Sequence, residues 1–137
     1  MPLFVETLLD ILSQLNSTSA DIQASAIVSK DGLVMAALLD NNVDEDRVAA
    51  MTTAVYTQAN RILREIHLGK LRQVLVKAEQ GYALVTATDE QTLLLTLFKK
   101  DASLGFIFLN CTRSAKKIAA TGIVKPSPRN GLVYLSK

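Results

Sequence analysis

The sequence has few of the residues from which catalytic and metal sites are usually built. Of its 137 residues, only Cys111 is a cysteine and only His67 is a histidine. One cysteine cannot form an internal disulfide. A single cysteine and a single histidine also provide no metal-ligand spacing and no basis for a Ser-His-Asp triad. We expect His67 to end a helix and Cys111 to be a small buried hydrophobic residue. The sequence therefore predicts no catalytic residue, no metal site and no enzymatic activity.

Phosphate-binding loops and long apolar runs are also missing. The six glycines are scattered, so the chain has neither a Walker-type loop nor a Gly-x-Gly-x-x-Gly motif, and we predict no cofactor and no binding of GTP or ATP. No stretch approaches 18 apolar residues, and Glu6 and Asp10 interrupt the apolar start of the chain. With a net charge of +2 and 49% apolar residues, the chain is expected to be one globular domain. Together with the lone cysteine, these features favour the reducing cytoplasm and no membrane insertion.

Two local patterns organise the first third of the chain. Apolar residues from Phe4 to Leu15 recur at three- and four-residue steps, which predicts a helix that ends near Asn16 and Ser17. The apolar run 24–39 is interrupted at Asp31-Gly32, and Asp-Gly between two such runs is typical of a β-hairpin. We therefore predict one helix followed by two antiparallel strands.

The segment 44–68 predicts a long amphipathic helix, capped by Asp44 or Asp46 and ended by Gly69. Its expected core stripe consists of Val48, Met51, Val55, Ala59, Ile62 and Ile66. The opposite face is short and uncharged at Ala50, Thr53, Ala54 and Thr57, with Arg61 and Arg64 near the end. Short side chains let a second helix approach to about 8–10 Å, so this face indicates an interface, although alanine also serves as a surface helix former. Tyr56, between the two faces, is compatible with either core or interface.

Three more strands and a last helix complete the predicted fold. Strands are expected over 72–78, 82–88 and 92–99, each bounded by turn residues. The last helix is expected from Ser103 to Thr121 with Gly122 as its stop, and its core face holds Leu104, Ile107, Phe108, Cys111, Ala115 and Ile118. The order αββαβββα predicts an α+β fold, in which helices pack on a five-stranded antiparallel sheet.

Four short motifs occur in a fixed order along the chain. They are AIVSKDGLV at 26–34, RVAAM at 47–51, LGKLRQVLV at 68–76 with Gly81-Tyr82 after it, and ASLG at 102–105. Over about residues 3–121, their order and spacing resemble the Roadblock family, which includes dynein light chains of the Roadblock type and bacterial cell-polarity regulators. We therefore expect a Roadblock-like domain over 1–122 and a separate tail over 123–137.

The resemblance implies a non-enzymatic homodimer, paired through the central helix and the edge strand that follows it. The expected interface comprises Ala50, Thr53, Ala54, Thr57, Arg61, Arg64, Gln73 and Leu75. Pairing an edge strand with its own copy also removes an unpaired ladder that is prone to association. Several family members bind small Ras-like GTPases as activators or scaffolds, so a GTPase is the expected partner. The alternative is a structural adaptor of a motor, filament or signalling complex that leaves nucleotide hydrolysis unchanged.

The end of the chain is basic, with Arg113, Lys116, Lys117, Lys125, Arg129 and Lys137 and no acidic residue. These charges fit either a solvated face or attraction to an acidic partner. No aromatic residues interleave them as a binder of single-stranded nucleic acid requires, and we predict no nucleic-acid partner. The apolar segment 132–135 in the tail fits docking on its own domain, on the second protomer or on another protein, and the sequence does not choose.

Overall fold

A computed structural model describes residues 2–89, 91–122, 124–127 and 131–134, with side chains described for 4–89 and 91–122. The helices are α1 (Pro2–Ser17), α2 (Glu45–Glu65) and α3 (Leu104–Thr121). The strands are β1 (Ile22–Ser29), β2 (Val34–Leu38), β3 (Gln73–Lys77), β4 (Gly81–Ala87) and β5 (Thr92–Lys99). The predicted order αββαβββα is confirmed. Two short strands that we did not predict, β6 (Val124–Ser127) and β7 (Gly131–Tyr134), pair with each other beyond α3.

The five main strands form one antiparallel sheet in the order β2-β1-β5-β4-β3. Consecutive strands pair within the hairpin β1-β2 and within the meander β3-β4-β5. The two groups join where β5 pairs with β1, with Ile27 opposite Leu94. The sheet therefore ends at β2 on one side and at β3 on the other.

Helices cover both faces of the sheet. On one face, α1 and α3 enclose a core that includes Leu12, Phe98 and Cys111. The predicted core face of α3 is confirmed, because Ile107, Cys111, Ala115 and Ile118 are buried while Leu104 and Phe108 are partly buried. On the other face, α2 packs over a smaller core that contains Tyr56 and Leu71.

The predicted Asp-Gly hairpin is confirmed, and its turn rests on α2. Gly32 has a φ of +90°, a conformation that residues with a Cβ rarely adopt. A Cβ at Gly32 would lie 3.5 Å from the Cα of Ala50, so the hairpin turn and the helix are close neighbours. The hydroxyl of Thr53 donates a hydrogen bond of 3.0 Å to the carbonyl oxygen of Ser29, which fixes this contact.

The two ends of α2 are set by different devices. At the start, the carboxylate of Asp44 accepts a 3.2 Å hydrogen bond from the backbone N–H of Arg47, as predicted for a capping residue. At the end, the left-handed residue that follows the helix is His67, with a φ of +62°, and its N–H donates to the carbonyl oxygen of Arg64. The prediction that Gly69 ends the helix is therefore wrong, since the helix has already ended at Glu65.

The predicted core face of α2 is also wrong in large part. The buried residues are Ala49, Thr52 and Tyr56, whereas the exposed fractions of Met51, Val55, Ile62 and Ile66 are 56%, 42%, 62% and 56%. At about 100° per residue, the buried face is centred roughly a quarter turn away from the six-residue face that periodicity predicts for the core. The physical reason is that small Ala49 and amphipathic Tyr56 fit the close approach of α2 to the sheet, while the larger apolar side chains lie beside that contact.

Candidate interaction site on the central helix

Four apolar side chains form an exposed stripe along α2. Met51, Val55, Ile62 and Ile66 are separated by four, seven and four residues, which places them on one side of a helix. Scattered exposed apolar residues are ordinary on protein surfaces, but a contiguous apolar row along a helix marks a contact surface. We call these four residues the apolar stripe.

The small outward face is adjacent to the apolar stripe. Ala50, Ala54 and Thr57 are exposed, as residues that contact a second chain must be. Thr53 is different, because it is half-buried and its hydroxyl is bonded to Ser29 within the same chain. We therefore assign Thr53 to the packing of α2 on the β1-β2 turn, and the rest of this face remains available for a partner.

The strand β3 forms one edge of the sheet and has no neighbouring strand on its outer side among the described residues. Gln73 is half-buried, and its side-chain amide donates a 3.2 Å hydrogen bond to the hydroxyl of Thr86 on β4. Leu75 is 38% exposed, on the sheet face opposite to α2. Val76 is 44% exposed and alternates to the α2 side, next to the core residue Val74. The alternation of residues in the sequence predicts that Leu75 and Val76 lie on opposite faces of the strand. It does not predict which of these faces α2 covers, nor that Val76 remains exposed.

The two ends of α2 carry opposite charges. Asp44, Glu45 and Asp46 are exposed at the start, and Arg61 and Arg64 are exposed near the end. The acidic residues at the start and the basic residues near the end both interact favourably with the helix dipole and stabilise the helix. An antiparallel second copy would in addition bring the acidic start of one helix towards the basic end of the other. Neither arginine forms an ion pair with a described residue, so both charges face outward.

Potential metal ligands lie apart in the part of the chain that the structure describes. There, no three His, Cys, Asp or Glu side chains are placed to hold a metal ion together. Burial raises the pKa of the Cys111 thiol, and a weaker opposing effect comes from its 3.3 Å hydrogen bond to the hydroxyl of Thr96. The thiol is thus kept protonated, whereas nucleophilic cysteines are thiolates. None of the described helices is long and apolar enough to cross a bilayer.

Comparison with known proteins places these features in a family. A sequence model of the Roadblock/LC7 domain matches residues 8–98. The protein MJ0714 of Methanocaldococcus jannaschii is 38% identical over 117 residues, which cover 85% of this chain and 98% of that protein. A second protein of the same organism, MJ1340, is 37% identical over 110 residues, covering 80% of this chain and 95% of that protein.

Solved structures share the fold at lower identity. A Roadblock/LC7 domain from Streptomyces avermitilis superimposes with a TM-score of 0.77 at 20% identity, covering 81% of this chain and 93% of that domain. MglB of Myxococcus xanthus gives a TM-score of 0.80 at 14% identity, covering 85% of this chain and 88% of MglB. A further MglB structure, described as having a tetrameric arrangement, gives 0.76 at 17% identity with the same two coverages. The sequence of this chain matches the family model, and its order of elements and its sheet agree with those of a solved member. The chain therefore belongs to the Roadblock/LC7 family.

Proposed function

We propose that this protein is a non-enzymatic homodimeric regulator of a small Ras-like GTPase, with α2 and β3 as its self-pairing surface. The observations that carry the proposal are the exposed apolar stripe along α2 and the open edge of the sheet at β3. A Roadblock domain with this surface suits contacts between proteins better than chemistry on a small substrate.

Self-pairing accounts for both unusual surfaces at once. An antiparallel copy of α2 would cover the four residues of the apolar stripe, and burying such side chains is favourable by about 25 cal/mol per Å² of apolar area. The same two-fold arrangement would place β3 against its own copy and satisfy the open backbone ladder. The opposite charges at the two ends of α2 favour the antiparallel orientation over the parallel one.

The GTPase would then dock on the outward side of the paired helices. Ala50, Ala54 and Thr57 leave room there for a close approach of a partner backbone. Arg61 and Arg64 would flank this surface in both copies and attract an acidic switch region. The Roadblock family contains proteins that bind small Ras-like GTPases, which makes this partner class the best supported one.

Dimerisation is tested by placing a charge in the apolar stripe. Val55→Glu and Ile62→Glu should each convert the dimer into a monomer at micromolar concentration, because a carboxylate would lose its hydration in the interface. Ala54→Glu, on the adjoining small face, should weaken the dimer in the same direction. The matched control is Leu109→Glu on α3, where the leucine is 47% exposed but lies on the other side of the sheet. Light scattering that shows dimers for both stripe variants and for the wild type would reject this interface.

Regulation is tested on the partner itself. A pull-down should recover a small GTPase, and its rate of GTP hydrolysis is then measured with and without this protein at saturation. A changed rate supports the regulator, whereas binding with an unchanged rate identifies a structural adaptor. If the protein is dimeric but the pull-down recovers no GTPase, the proposed GTPase partner is rejected and the proposed dimer is not.

A further inference from the structure

We propose that a small pocket between α3, the start of β3 and the end of β4 binds a phosphate group. The pocket has a volume of about 200 Å³, and its lining includes Arg72, Gln73, Thr88, Thr112, Ala115 and Lys116. We call it the phosphate pocket. Its residues belong to one chain, so the inference depends neither on the dimer nor on the GTPase of the proposed function.

The backbone that carries Arg72 is held on both sides. The carbonyl oxygen of Arg72 accepts a 2.9 Å hydrogen bond from the N–H of Ala87 at the end of β4. In the preceding residue, Leu71, the N–H donates to the side-chain oxygen of Asn60 at 3.0 Å, and the carbonyl oxygen accepts from the hydroxyl of Tyr56 at 2.9 Å. The guanidinium group of Arg72 therefore extends from a backbone with little freedom to move.

Gln73 shows on which face of the sheet the phosphate pocket lies. It is paired with Thr86 on β4, and its side-chain amide donates a 3.2 Å hydrogen bond to the hydroxyl of that residue. Two residues further along β3, on the same face, Leu75 is paired with Leu84, which belongs to the core beneath α1 and α3. The phosphate pocket is therefore on the face opposite to α2, and a ligand bound there would leave the apolar stripe uncovered.

The helix α3 forms the other wall. Thr112 and Lys116 are four residues apart, which places their side chains next to each other on one side of the helix, and both are exposed. Ala115, between them in sequence, is 5% exposed and packs towards the sheet. The next residue, Lys117, is directed to α1, where its Nζ atom donates a 3.2 Å hydrogen bond to the side-chain oxygen of Gln14. Lys116 and Lys117 are thus adjacent in sequence but serve different surfaces.

The described lining of the phosphate pocket contains two cations and no carboxylate. The side chains of Arg72 and Lys116 form no hydrogen bond or ion pair with a described residue. Asp89 comes directly after this lining in the chain, but one of its oxygens accepts hydrogen bonds from the N–H groups of Gln91 and Thr92. That carboxylate is therefore engaged in its own turn.

The charge of α3 adds to that of the pocket. Its sequence LGFIFLNCTRSAKKIAAT contains one arginine, two lysines and no acidic residue. Charges of one sign along the wall of a cleft raise the local concentration of ions of the opposite sign. The surroundings of the pocket therefore favour an anion in the same way as its lining does.

A guanidinium, an ammonium and a hydroxyl group around one cavity suit a phosphate group. A phosphate ester carries a charge of about −1.5 to −2 at pH 7 and has three acceptor oxygens, two of which a guanidinium can bind in parallel. A carboxylate side chain of a partner would supply one charge and two oxygens. Sites for small organic ligands typically measure about 300–1,000 Å³, so a pocket of about 200 Å³ fits the phosphate group and leaves a larger organic part outside.

The test is a titration of the full-length, isotopically labelled protein with inorganic phosphate and with glycerol 3-phosphate at constant ionic strength, followed by backbone amide NMR. We expect saturable shifts at residues 72–73, 86–88 and 112–116, with a dissociation constant of about 1 mM or below. Similar affinities for the two ligands assign the site to a phosphate group on either molecule, and saturation by inorganic phosphate alone assigns it to the free ion.

Four variants separate the pocket from a general effect of charge. Arg72→Gln and Lys116→Gln should each weaken binding about fivefold or more. Arg72→Lys keeps the charge but loses the parallel pair of hydrogen bonds, and it should also weaken binding, by about threefold. Lys117→Gln is the matched control, because it removes the same charge from the neighbouring residue that faces α1, and it should leave binding unchanged. The amide spectra also report whether each variant is folded.

Three results would overturn the proposal. The first is a set of shifts that grow linearly with phosphate and do not saturate. The second is an equal loss of binding in Lys117→Gln and in the two glutamine variants of the pocket, since any positive charge on this side of the domain would then serve. The third is saturation at amides outside the phosphate pocket, which would place the anion elsewhere.

Discussion

The hydroxyl of Tyr56 lies 2.9 Å from the carbonyl oxygen of Leu71 and donates a hydrogen bond to it, and both residues are buried. This bond joins the middle of α2 to the segment that enters β3. The helix and the edge strand that we propose as one pairing surface are therefore held in a fixed relationship within each chain.

Removing that hydroxyl should lower the stability of the fold. Tyr56→Phe leaves the buried carbonyl of Leu71 without this donor, and we expect a loss of about 1–2 kcal/mol in the free energy of unfolding, measured with urea. Tyr82→Phe is the control, because that ring stacks on Phe98 and its hydroxyl forms no hydrogen bond with a described residue. Equal effects of the two substitutions would show that the Tyr56 bond contributes nothing specific.

The left-handed residue two positions beyond α2, His67, is open to stabilisation. His67 adopts a φ of +62°, where a Cβ is unfavourable and glycine is at ease. His67→Gly should therefore raise the free energy of unfolding by about 0.5–1 kcal/mol. Glu65→Gly, within the last turn of the helix, should lower it by a similar amount, since glycine is a poor residue inside helices. A destabilised His67→Gly protein would contradict this account of the helix end.

The buried thiol predicts a loss of stability in alkali. Because burial raises the pKa of Cys111 in the folded state, the folded protein keeps this proton at a pH where the unfolded chain releases it. The contribution of the protonated thiol is complete below the ordinary pKa of 9.0 and is lost as the pH rises further, by at most about 1.4 kcal/mol per pH unit. Unfolding measured between pH 8 and 10.5 should show a steeper decline for the wild type than for Cys111→Ala. Parallel curves for the two proteins would disprove the contribution of this thiol.

Arg61 and Arg64 are expected to steer the GTPase and not to enter its catalytic site. Arg61→Ala and Arg64→Ala should weaken binding, with the largest effect at low salt, and leave the hydrolysis rate of the saturated complex nearly unchanged. Lys117→Ala on α3 is the control for general charge. A fall of about 10³-fold or more in the saturated rate would instead identify an arginine finger.

The sequence predicted the elements well because each carries its own local signal. The Asp31-Gly32 turn requires a positive φ, and Asp44 is a capping residue, so both could be recognised without knowledge of the fold. The core face of α3 was also predictable. On that helix the apolar residues follow one stripe, and a single neighbouring surface, made by the sheet and α1, buries them.

The central helix was harder because its apolar residues serve two surfaces. Periodicity shows that Met51, Val55 and Ile62 share a side, but it does not show whether that side meets the sheet or a second chain. Tyr56 and Ala49 are the actual core residues, and their types are common on either kind of surface.

The place of β5 between β1 and β4 has a consequence for synthesis on the ribosome. The N-terminal hairpin can form early, but its inner strand β1 finds its partner only after β5 has left the exit tunnel. The sheet therefore cannot close until most of the domain has been translated, and closure must bring together residues that are far apart in the chain. A nascent chain stalled before residue 92 would expose the inner edge of β1, and an unpaired strand edge of this kind is prone to aggregation.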